Sequence, residues 1–285
     1  MSEPCVAVFG PGLLGGSLAR AARAAREAEF GSRVHIWARR ESAVAEVERL
    51  GIADRASTDP AAVLEGATIA VLATPIGAMS AIAEAIMASA RSDHLVVTDV
   101  GSVKARVVQG LGRRLREAGI DFVGSHPMAG SERTGIAASR SDLFQGAVCI
   151  VTPEPSTPES ALARVTDFWK LLGCAVWQMA PDEHDAVVGK VSHVPHIAAA
   201  ALTLASLQGE PGILKFAGPG FRDSTRIAGG DPDMWAEILL GNREALDEPL
   251  RHLADRISQV IEFLKQRDQA ALREFLRSAR SLRSP

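Results

Sequence analysis

The sequence predicts an α/β domain with a mostly parallel sheet over residues 1–179, followed by an all-α domain over residues 180–285. Short apolar runs alternate with helical stretches in the first part of the chain, which is typical of βαβ units. A glycine-rich turn directly follows the first of these runs. After residue 180 the sequence shows no convincing strand, and its length suits two domains of ~150 residues each.

Seven short runs in the first domain have the continuous apolar character of buried strands. They cover residues 6–9, 34–37, 69–73, 95–99, 122–124, 148–152 and 175–179. Helical stretches rich in Ala, Leu, Arg and Glu separate the runs, among them 13–29, 102–118 and 158–172. Parallel sheets bind ligands at the carboxyl ends of their strands, so functional residues are expected where these runs end.

The second domain reads as helices only. Residues 182–207 predict one long helix, which Pro195 should kink because proline removes a backbone donor. Residues 209–220 contain four Gly and two Pro and predict a loop. Three further helices are expected over 231–240, 242–265 and 267–280, with Asp231 as an N-cap.

Composition excludes several classes of protein. The net charge is −3, so no surface for nucleic acid is expected, and 47% hydrophobic against 23% charged residues argues against disorder. No continuous apolar run reaches the ~18 residues of a membrane span, so no membrane partner is expected. Cys5, Cys149 and Cys174 are odd in number and scattered, which favours a reducing, cytoplasmic location over a disulfide framework.

The turn after the first strand fits the pattern GxGxxG, and its position between a strand and a helix is the context that makes this weak motif informative. Glycines allow a tight turn and close approach of a pyrophosphate, and the helix amino terminus offers free N–H groups. We therefore predict a Rossmann-type domain that binds a nicotinamide dinucleotide. The expected cofactor-binding residues here are Gly10, Gly12, Leu13, Leu14, Gly15 and, at the end of the third run, Thr74.

The end of the second strand bears on the choice between NAD and NADP. An NAD site usually places Asp or Glu there to accept from the ribose 2′-hydroxyl. Here the sequence reads Trp37, Ala38, Arg39 and Arg40, so the acid is missing and two guanidinium groups follow. Arginine suits a 2′-phosphate, which favours NADP, although NAD remains possible.

Two polar segments follow neighbouring runs of the predicted sheet. Residues 99–104 end one run and open a helix, and residues 125–132 follow the next. His126 is thereby placed near the nicotinamide, where an imidazole can accept a hydroxyl proton while a hydride leaves the same carbon. Ser102 can hydrogen-bond the same hydroxyl.

A third polar set lies in the long helix. Asp185, Gly189, Ser192 and His196 follow a helical spacing that puts them on one face, as one wall of a cleft between the domains. His193 and His196 form a His-x-x-His pair, but a third ligand with suitable spacing is missing, so no metal is expected.

Two arginines, Arg222 and Arg226, follow a Gly-rich segment at i and i+4. A cationic pair in such a place suits the capture of carboxylates. The alternative is that both are surface charges paired with neighbouring acids.

Taken together, five segments make the chain similar to the prephenate/arogenate dehydrogenase family of tyrosine biosynthesis. They read GPGLLGGSLA, DVGSVK, SHPMAGSE, EHD…VSHVPH and GFRDSTRIA…DPDMW, in the family's order between residues 10 and 235. The resemblance implies oxidative decarboxylation of prephenate to 4-hydroxyphenylpyruvate, with hydride transfer to a nicotinamide cofactor. It also implies that the helical domain forms a homodimer.

The resemblance further implies residue roles. His126 matches the catalytic histidine, and Ser102 the serine that holds both His126 and the ring hydroxyl. Residues matching substrate contacts are Ser192, His196 and Arg226, the last bound to a carboxylate. Those matching a charged gate at the mouth of the site are Glu132, Asp185 and Arg222.

Three other functions stay open on the sequence. Arogenate in place of prephenate differs by an amino group, and residues 216–221 offer no acid to bind it, which favours prephenate. A 3-hydroxy acid dehydrogenase would need a catalytic lysine in the long helix, where Lys190 lies off the Asp185 face. A regulatory protein that senses NADP would not need the serine–histidine pair.

Overall fold

The computed structural model describes residues 5–27, 33–90, 94–131 and 133–283. The first domain is built on a six-stranded, all-parallel sheet with strand order β3-β2-β1-β4-β5-β6. Its strands are β1 (Cys5–Phe9), β2 (Arg33–Trp37), β3 (Arg55–Ser57), β4 (Ile69–Leu72), β5 (Val96–Asp99) and β6 (Asp121–Phe122). The predicted Rossmann-type α/β domain is confirmed. The short β3 at the sheet edge was not expected, because Arg55–Ser57 has no apolar run.

Helices cover both faces of this sheet. They are α1 (Leu13–Glu27), α2 (Glu41–Leu50), α3 (Pro60–Leu64), α4 (Ile76–Ser89), α5 (Ala105–Val107), α6 (Arg113–Glu117) and α7 (Glu159–Leu171). A π-helical segment, Val108–Gly112, joins α5 to α6. Asp59 caps α3 by accepting from the Ala61 N–H at 2.9 Å, as aspartate before a helix should. Two buried apolar clusters result, one on each face of the sheet.

A second sheet, absent from the sequence prediction, stands beside the first. It contains β7 (Gly124–Pro127), β8 (Val148–Thr152) and β9 (Ala175–Gln178), with β7 antiparallel to β8. The run predicted as one strand over 122–124 is thus divided between two sheets. Gly124 permits the crossing, because a Cβ there would lie 2.5 Å from Thr152 Oγ1 and 3.0 Å from Val108.

The second domain is helical throughout its described residues, as predicted. Its α-helices are α8 (Pro181–Val188), α9 (Val194–Leu207), α10 (Pro219–Thr225), α11 (Pro232–Gly241), α12 (Arg243–Gln266) and α13 (Gln269–Arg283). Asp231 caps α11 by accepting from the Met234 N–H at 2.9 Å. Residues 209–220, expected to be a loop, contain the 3₁₀ segment Pro211–Phe216 and the start of α10.

The predicted long helix is interrupted by a π-helical turn. Between α8 and α9 lies the π segment Gly189–His193, two residues before Pro195. A π turn holds one residue more than an α turn, so the positions after it are rotated relative to those before it. The predicted helix is therefore interrupted just before Pro195, by a turn that rotates the following residues about the helix axis.

The two domains pack closely. Ile238 of α11 belongs to the same buried cluster as Val103, and Gly77 at the start of α4 donates its N–H to Glu237 at 3.1 Å. Asp185 of α8 accepts from the Lys104 N–H, just before α5, at 2.7 Å. These contacts place α8 against the carboxyl edge of the large sheet.

Candidate active site

The glycine turn between β1 and α1 is closely packed. Gly10 has φ +112°, and a Cβ there would lie 2.7 Å from the Ala73 carbonyl oxygen. A Cβ on Gly15 would lie 1.9 Å from the Gly10 carbonyl oxygen, whereas one on Gly12 would meet nothing within 4 Å. Thus Gly10 and Gly15 are required by the turn, and Gly12 leaves open space where a pyrophosphate can approach.

A cavity of about 680 Å³ opens at this turn. Its lining includes Gly10, Gly12, Trp37, Ala38, Arg39, Arg40, Glu46, Thr74 and Ile136. Thr74 Oγ1 is buried and has no hydrogen-bond partner among the described residues. Cavity, glycine turn and unpartnered hydroxyl together fit a dinucleotide. Leu13 and Leu14, also expected here, form the first turn of α1.

The far end of this cavity carries mixed charge. Arg39 and Arg40 are exposed and line it, as expected, directly after β2 ends at Trp37. Glu46 of α2 lines the same cavity, which the sequence analysis did not anticipate. Two guanidinium groups therefore share the expected adenosine end with one carboxylate.

His126 lies inside strand β7, whereas the sequence placed it after the end of a strand over 122–124. The side chain is 7% exposed, and its backbone pairs with Ile150 of β8. Burial is the main reason that the pKa of His126 lies well below 6.5, and the charges of neighbouring His184, Lys104 and His193 lower it further. The imidazole is therefore neutral near pH 7 and able to accept a proton.

The two polar segments predicted to meet do meet, through Asp99 and Ser125. Ser125 donates its N–H to Asp99 Oδ1 at 3.2 Å and its hydroxyl to the Asp99 carbonyl at 2.6 Å. Asp99 also forms an ion pair with Lys104, both side chains being fully buried. Ser102, which lies between Asp99 and Lys104 in the sequence, is half-buried. It follows Gly101, whose N–H donates to Asp99 Oδ2 at 2.8 Å.

His184 and Asp185 reach this edge of the sheet from α8. The His184 ring lies between His126 and Asp185. Its Nε2 is 2.9 Å from His126 Nδ1, and its Nδ1 is 2.7 Å from Asp185 Oδ1. Asp185 also accepts from the N–H groups of Lys104, at 2.7 Å, and Ala105, at 3.0 Å. Thus Asp185 is a buried acceptor that binds the first turn of α5.

The next turn of the second domain adds two buried histidines. Asn242 Nδ2 lies 2.9 Å from His193 Nδ1, and burial lowers the pKa of His193 to about 4. His196 stacks on Trp235 with ring centroids 3.5 Å apart. Among the described residues, neither His196 Nδ1 nor His193 Nε2 has a hydrogen-bond partner, although both atoms are buried. Ser192 is half-buried in the π segment.

Two members of the expected charged gate, Asp185 and Arg222, have separate hydrogen-bond partners in the described part of the chain. Asp185 is 4% exposed and is held by His184 and the start of α5, while Arg222 is exposed and donates to the Ala217 carbonyl at 3.3 Å. The two arginines expected at i and i+4 lie in different helical segments. Arg222 belongs to α10, which ends at Thr225, and the exposed Arg226 begins the 3₁₀ segment Arg226–Gly229. Glu132 lies outside the described residues.

Motifs and spacing did not reveal the buried partners of the site: Asp99, Lys104, His184, His193 and Asn242. The motif DVGSVK did contain Asp99 and Lys104, but no spacing rule pairs a buried lysine with a carboxylate five residues away. Over the described part of the chain, no group of three or more His, Cys, Asp or Glu side chains could hold a metal ion.

A dinucleotide fold whose carboxyl sheet edge presents a buried, neutral histidine beside a helical second domain defines a two-domain dehydrogenase. Two family models match the chain: the nucleotide-binding domain of prephenate dehydrogenase over residues 21–178 and the dimerization domain of prephenate dehydrogenase over residues 180–278. The chain belongs to the prephenate dehydrogenase family, as its motifs indicated.

Individual relatives agree with this assignment. The chain is 35% identical to a Bacillus subtilis prephenate dehydrogenase, over 98% of this chain and 75% of the relative. It is 31% identical to a cyclohexadienyl dehydrogenase of Zymomonas mobilis, over 98% and 94% of the two chains. A crystal structure of Aquifex aeolicus prephenate dehydrogenase with hydroxyphenyl propionate and NAD+ superposes with a TM-score of 0.88, at 32% identity, covering 99% of this chain and 98% of that one.

Other solved structures add detail. A Synechocystis arogenate dehydrogenase gives a TM-score of 0.80 at 28% identity, with 98% of each chain covered. A 3-hydroxyisobutyrate dehydrogenase of Mycobacterium tuberculosis gives 0.58 at 13% identity, covering 89% of this chain and 95% of that one. The latter likeness shows a shared two-domain fold and nothing about the reaction.

Proposed function

We propose that this enzyme converts prephenate to 4-hydroxyphenylpyruvate by oxidative decarboxylation, with NADP preferred over NAD as hydride acceptor. The observation that carries the proposal is His126, a neutral imidazole buried at the edge where the two domains meet. The motif order and the relatives named prephenate dehydrogenase support the substrate class. We place the domain division after residue 179.

When bound, a nicotinamide cofactor would supply the redox chemistry, as the acceptor of a hydride from the hydroxyl-bearing carbon of the ring. His126 accepts the hydroxyl proton, and Ser102 hydrogen-bonds the same oxygen. As the carbonyl forms, the ring carboxylate leaves as carbon dioxide, the ring becomes aromatic, and the proton held by His126 returns to the ring oxygen to give the phenol. Holding the hydroxyl against the base is the protein's main contribution.

Cationic and polar groups bind the rest of the substrate. We assign Arg226 to a substrate carboxylate and Ser192 and His196 to further polar contacts. The buried, unpartnered Nδ1 of His196 supports this, because such an atom costs free energy unless a ligand satisfies it. We retain Arg222 and Glu132 as residues at the mouth of the site.

The glycine turn and Thr74 hold the dinucleotide, and Arg39 and Arg40 bind the 2′-phosphate of NADP. Glu46 is the competing feature, since a carboxylate at that end would accept from the free hydroxyls of NAD. Two arginines against one glutamate favour the phosphate, which is the basis of the cofactor preference.

A substrate test separates this proposal from its alternatives. The enzyme is mixed with prephenate or arogenate, each with NADP and with NAD, and the absorbance of the reduced nicotinamide is followed. Prephenate with NADP should give the highest kcat/KM. Faster turnover of arogenate, which the cyclohexadienyl and arogenate dehydrogenase relatives make the second candidate, would overturn the substrate assignment. A 3-hydroxy acid dehydrogenase is disfavoured, because Lys190 is exposed.

We also propose a homodimer formed by the helical domain. Its α13 has no buried residue, and α12 exposes Ile257, Ile261 and Leu264 at i, i+4 and i+7. Such an apolar stripe is typical of a subunit interface. By length and composition the run Pro181–Leu207 would suit a membrane span, with 28% of its apolar window buried. We assign its exposed face to the dimer instead.

Light scattering should give twice the mass of the chain for the wild-type protein. The substitution Ile261→Glu should shift the protein toward a monomer, because it places a charge in the apolar interface. A wild-type monomer at all concentrations, or an unchanged dimer in Ile261→Glu, contradicts this surface. Cys149 and Cys174 are free, buried thiols, which supports a reducing, cytoplasmic location.

A further inference from the structure

Three buried side chains form a continuous hydrogen-bonded row behind His126. The first link joins His126 Nδ1 to His184 Nε2 at 2.9 Å, and the second joins His184 Nδ1 to Asp185 Oδ1 at 2.7 Å. The His184 ring is completely buried, so bulk water does not compete for either nitrogen. The row runs from the second domain into β7 of the first.

The far end of the row can only accept hydrogen bonds. Asp185 Oδ1 already receives the Lys104 N–H at 2.7 Å, and Oδ2 receives the Ala105 N–H at 3.0 Å. Both donors are backbone groups at the start of α5 and cannot reverse their role. The carboxylate is therefore fixed in position and presents a lone pair to His184.

The protons in the row follow from this end. Because Asp185 accepts, His184 Nδ1 must donate to it. Burial lowers the pKa of His184, so the ring carries one proton and its Nε2 is an acceptor. The His126 Nδ1 must then donate to His184, and the lone pair of His126 lies on Nε2.

We propose that His184 and Asp185 are positioning residues that hold His126 in the tautomer with its proton on Nδ1 and its free lone pair on Nε2. This inference rests on the proposed function only in that it takes His126 to be the base. In the reaction, Nε2 accepts the substrate's hydroxyl proton while Nδ1–H stays donated to His184. The negative charge of Asp185, reached through His184, stabilises the imidazolium that results.

Other charged and titratable groups surround the base. Lys104 opposes the positive charge on His126, although its ammonium is paired with Asp99. His193 approaches from the second domain, and Cys149 of β8 faces the same strand. None of these groups contacts His126 Nδ1, so the tautomer is assigned to the His184 row alone.

The matched substitutions are His184→Gln and His184→Leu. A glutamine amide oxygen can take the place of Nε2 and accept from His126 Nδ1, whereas leucine fills the space without an acceptor. Nitrogen NMR of isotope-labelled histidine reads the tautomer of His126 without substrate or cofactor. We expect Nδ1–H in the wild type and in His184→Gln, and a mixture of tautomers in His184→Leu.

Kinetics give the second readout. His184→Leu should lower kcat by about 10²-fold or more while KM changes less than about threefold, since tautomer control acts on the transition state. His184→Gln should retain kcat within about tenfold. As a control for lost burial, His35→Leu removes a buried histidine of β2 that hydrogen-bonds the Val63 carbonyl of α3, and it should leave the tautomer and kcat unchanged.

Two results would overturn the inference: a wild-type His126 protonated on Nε2, or equal losses of kcat in His184→Gln and His184→Leu. If His184→Leu does not fold, the NMR of the wild type and of His184→Gln still decides. A wild type with the Nδ1–H tautomer that reduces no cofactor with either substrate supports the row while refuting the proposed function.

Discussion

Acid should destabilise this enzyme through His193 in a way that one substitution can isolate. The side chain is fully buried and its pKa is about 4, against 6.5 for an ordinary histidine. Its nearest polar contact is the Asn242 amide, which lies 2.9 Å from Nδ1. In the folded state the ring therefore stays neutral at a pH where the unfolded chain already binds a proton.

The sign and size follow from this difference. The pKa of His193 is lower in the folded state than in the unfolded state. The free energy of unfolding therefore stays at its full value well above pH 6.5 and falls as the pH drops from 6.5 toward 4. Between about pH 7.5 and about pH 5, His193 alone should remove about 2 kcal/mol from the free energy of unfolding. Burial also lowers the pKa of His126, His184 and His196, so the total loss is larger.

The assay is urea unfolding at the two pH values, at one protein concentration because a dimer's stability depends on it. The substitution His193→Asn keeps an oxygen near the place of Nδ1 but cannot titrate. It should reduce the loss on acidification by about 2 kcal/mol relative to the wild type. His252→Asn, at an exposed position on α12, should leave the wild-type loss unchanged. An equal loss in His193→Asn and the wild type would refute the assigned burial of a neutral ring.

Three further predictions concern activity. His126→Ala should lower kcat by about 10²–10⁴-fold with little change in cofactor affinity, and the acid limb of the wild-type kcat/KM profile should lie below pH 6.5, because burial lowers the pKa of His126; an active variant or an acid limb above pH 6.5 would contradict its role as base. Arg226→Ala should raise KM for prephenate by about tenfold or more and change kcat less, as loss of a carboxylate contact should; an unchanged KM would place Arg226 outside the site. Ala38→Asp with Arg39→Ala should reverse an NADP preference of about tenfold in kcat/KM, since a carboxylate binds the free ribose hydroxyls and repels the phosphate; better use of NAD than NADP by the wild type would refute the assignment of the arginines.

Local patterns predicted most of the large sheet, because each buried strand is a continuous apolar run. The exceptions are physical. Strand β3, Arg55–Ser57, is held by pairing with β2 and has no apolar signal of its own. The run at 122–124 divides between two sheets at Gly124, where Thr152 and Val108 from distant parts of the chain leave no room for a Cβ. No local pattern contains that information.

The candidate site, too, was predicted only where a local motif marks its residues. The glycine turn and His126 were found from motifs, but helical spacing grouped only Asp185, Gly189, Ser192 and His196 on the functional face and left out His184 and His193. The π turn Gly189–His193 changes the phase of the helix, so a count based on 3.6 residues per turn fails for His193, which lies in it. His184 precedes the π turn, and its contact with His126 of β7 depends on how the two domains pack. Both histidines are fully buried, His184 in the row behind His126 and His193 beside Asn242.

The contact of Asp185 with the start of α5 restricts how this family can be recombined. The Lys104 and Ala105 N–H groups belong to the nucleotide-binding domain, and the carboxylate that accepts from them belongs to the helical domain. A chimera that joins residues 1–179 to a foreign helical domain must supply a carboxylate at this place. Without that carboxylate, the N–H groups of Lys104 and Ala105 lose their acceptor. The nucleotide-binding domain would then be destabilised at this contact, whatever the substrate.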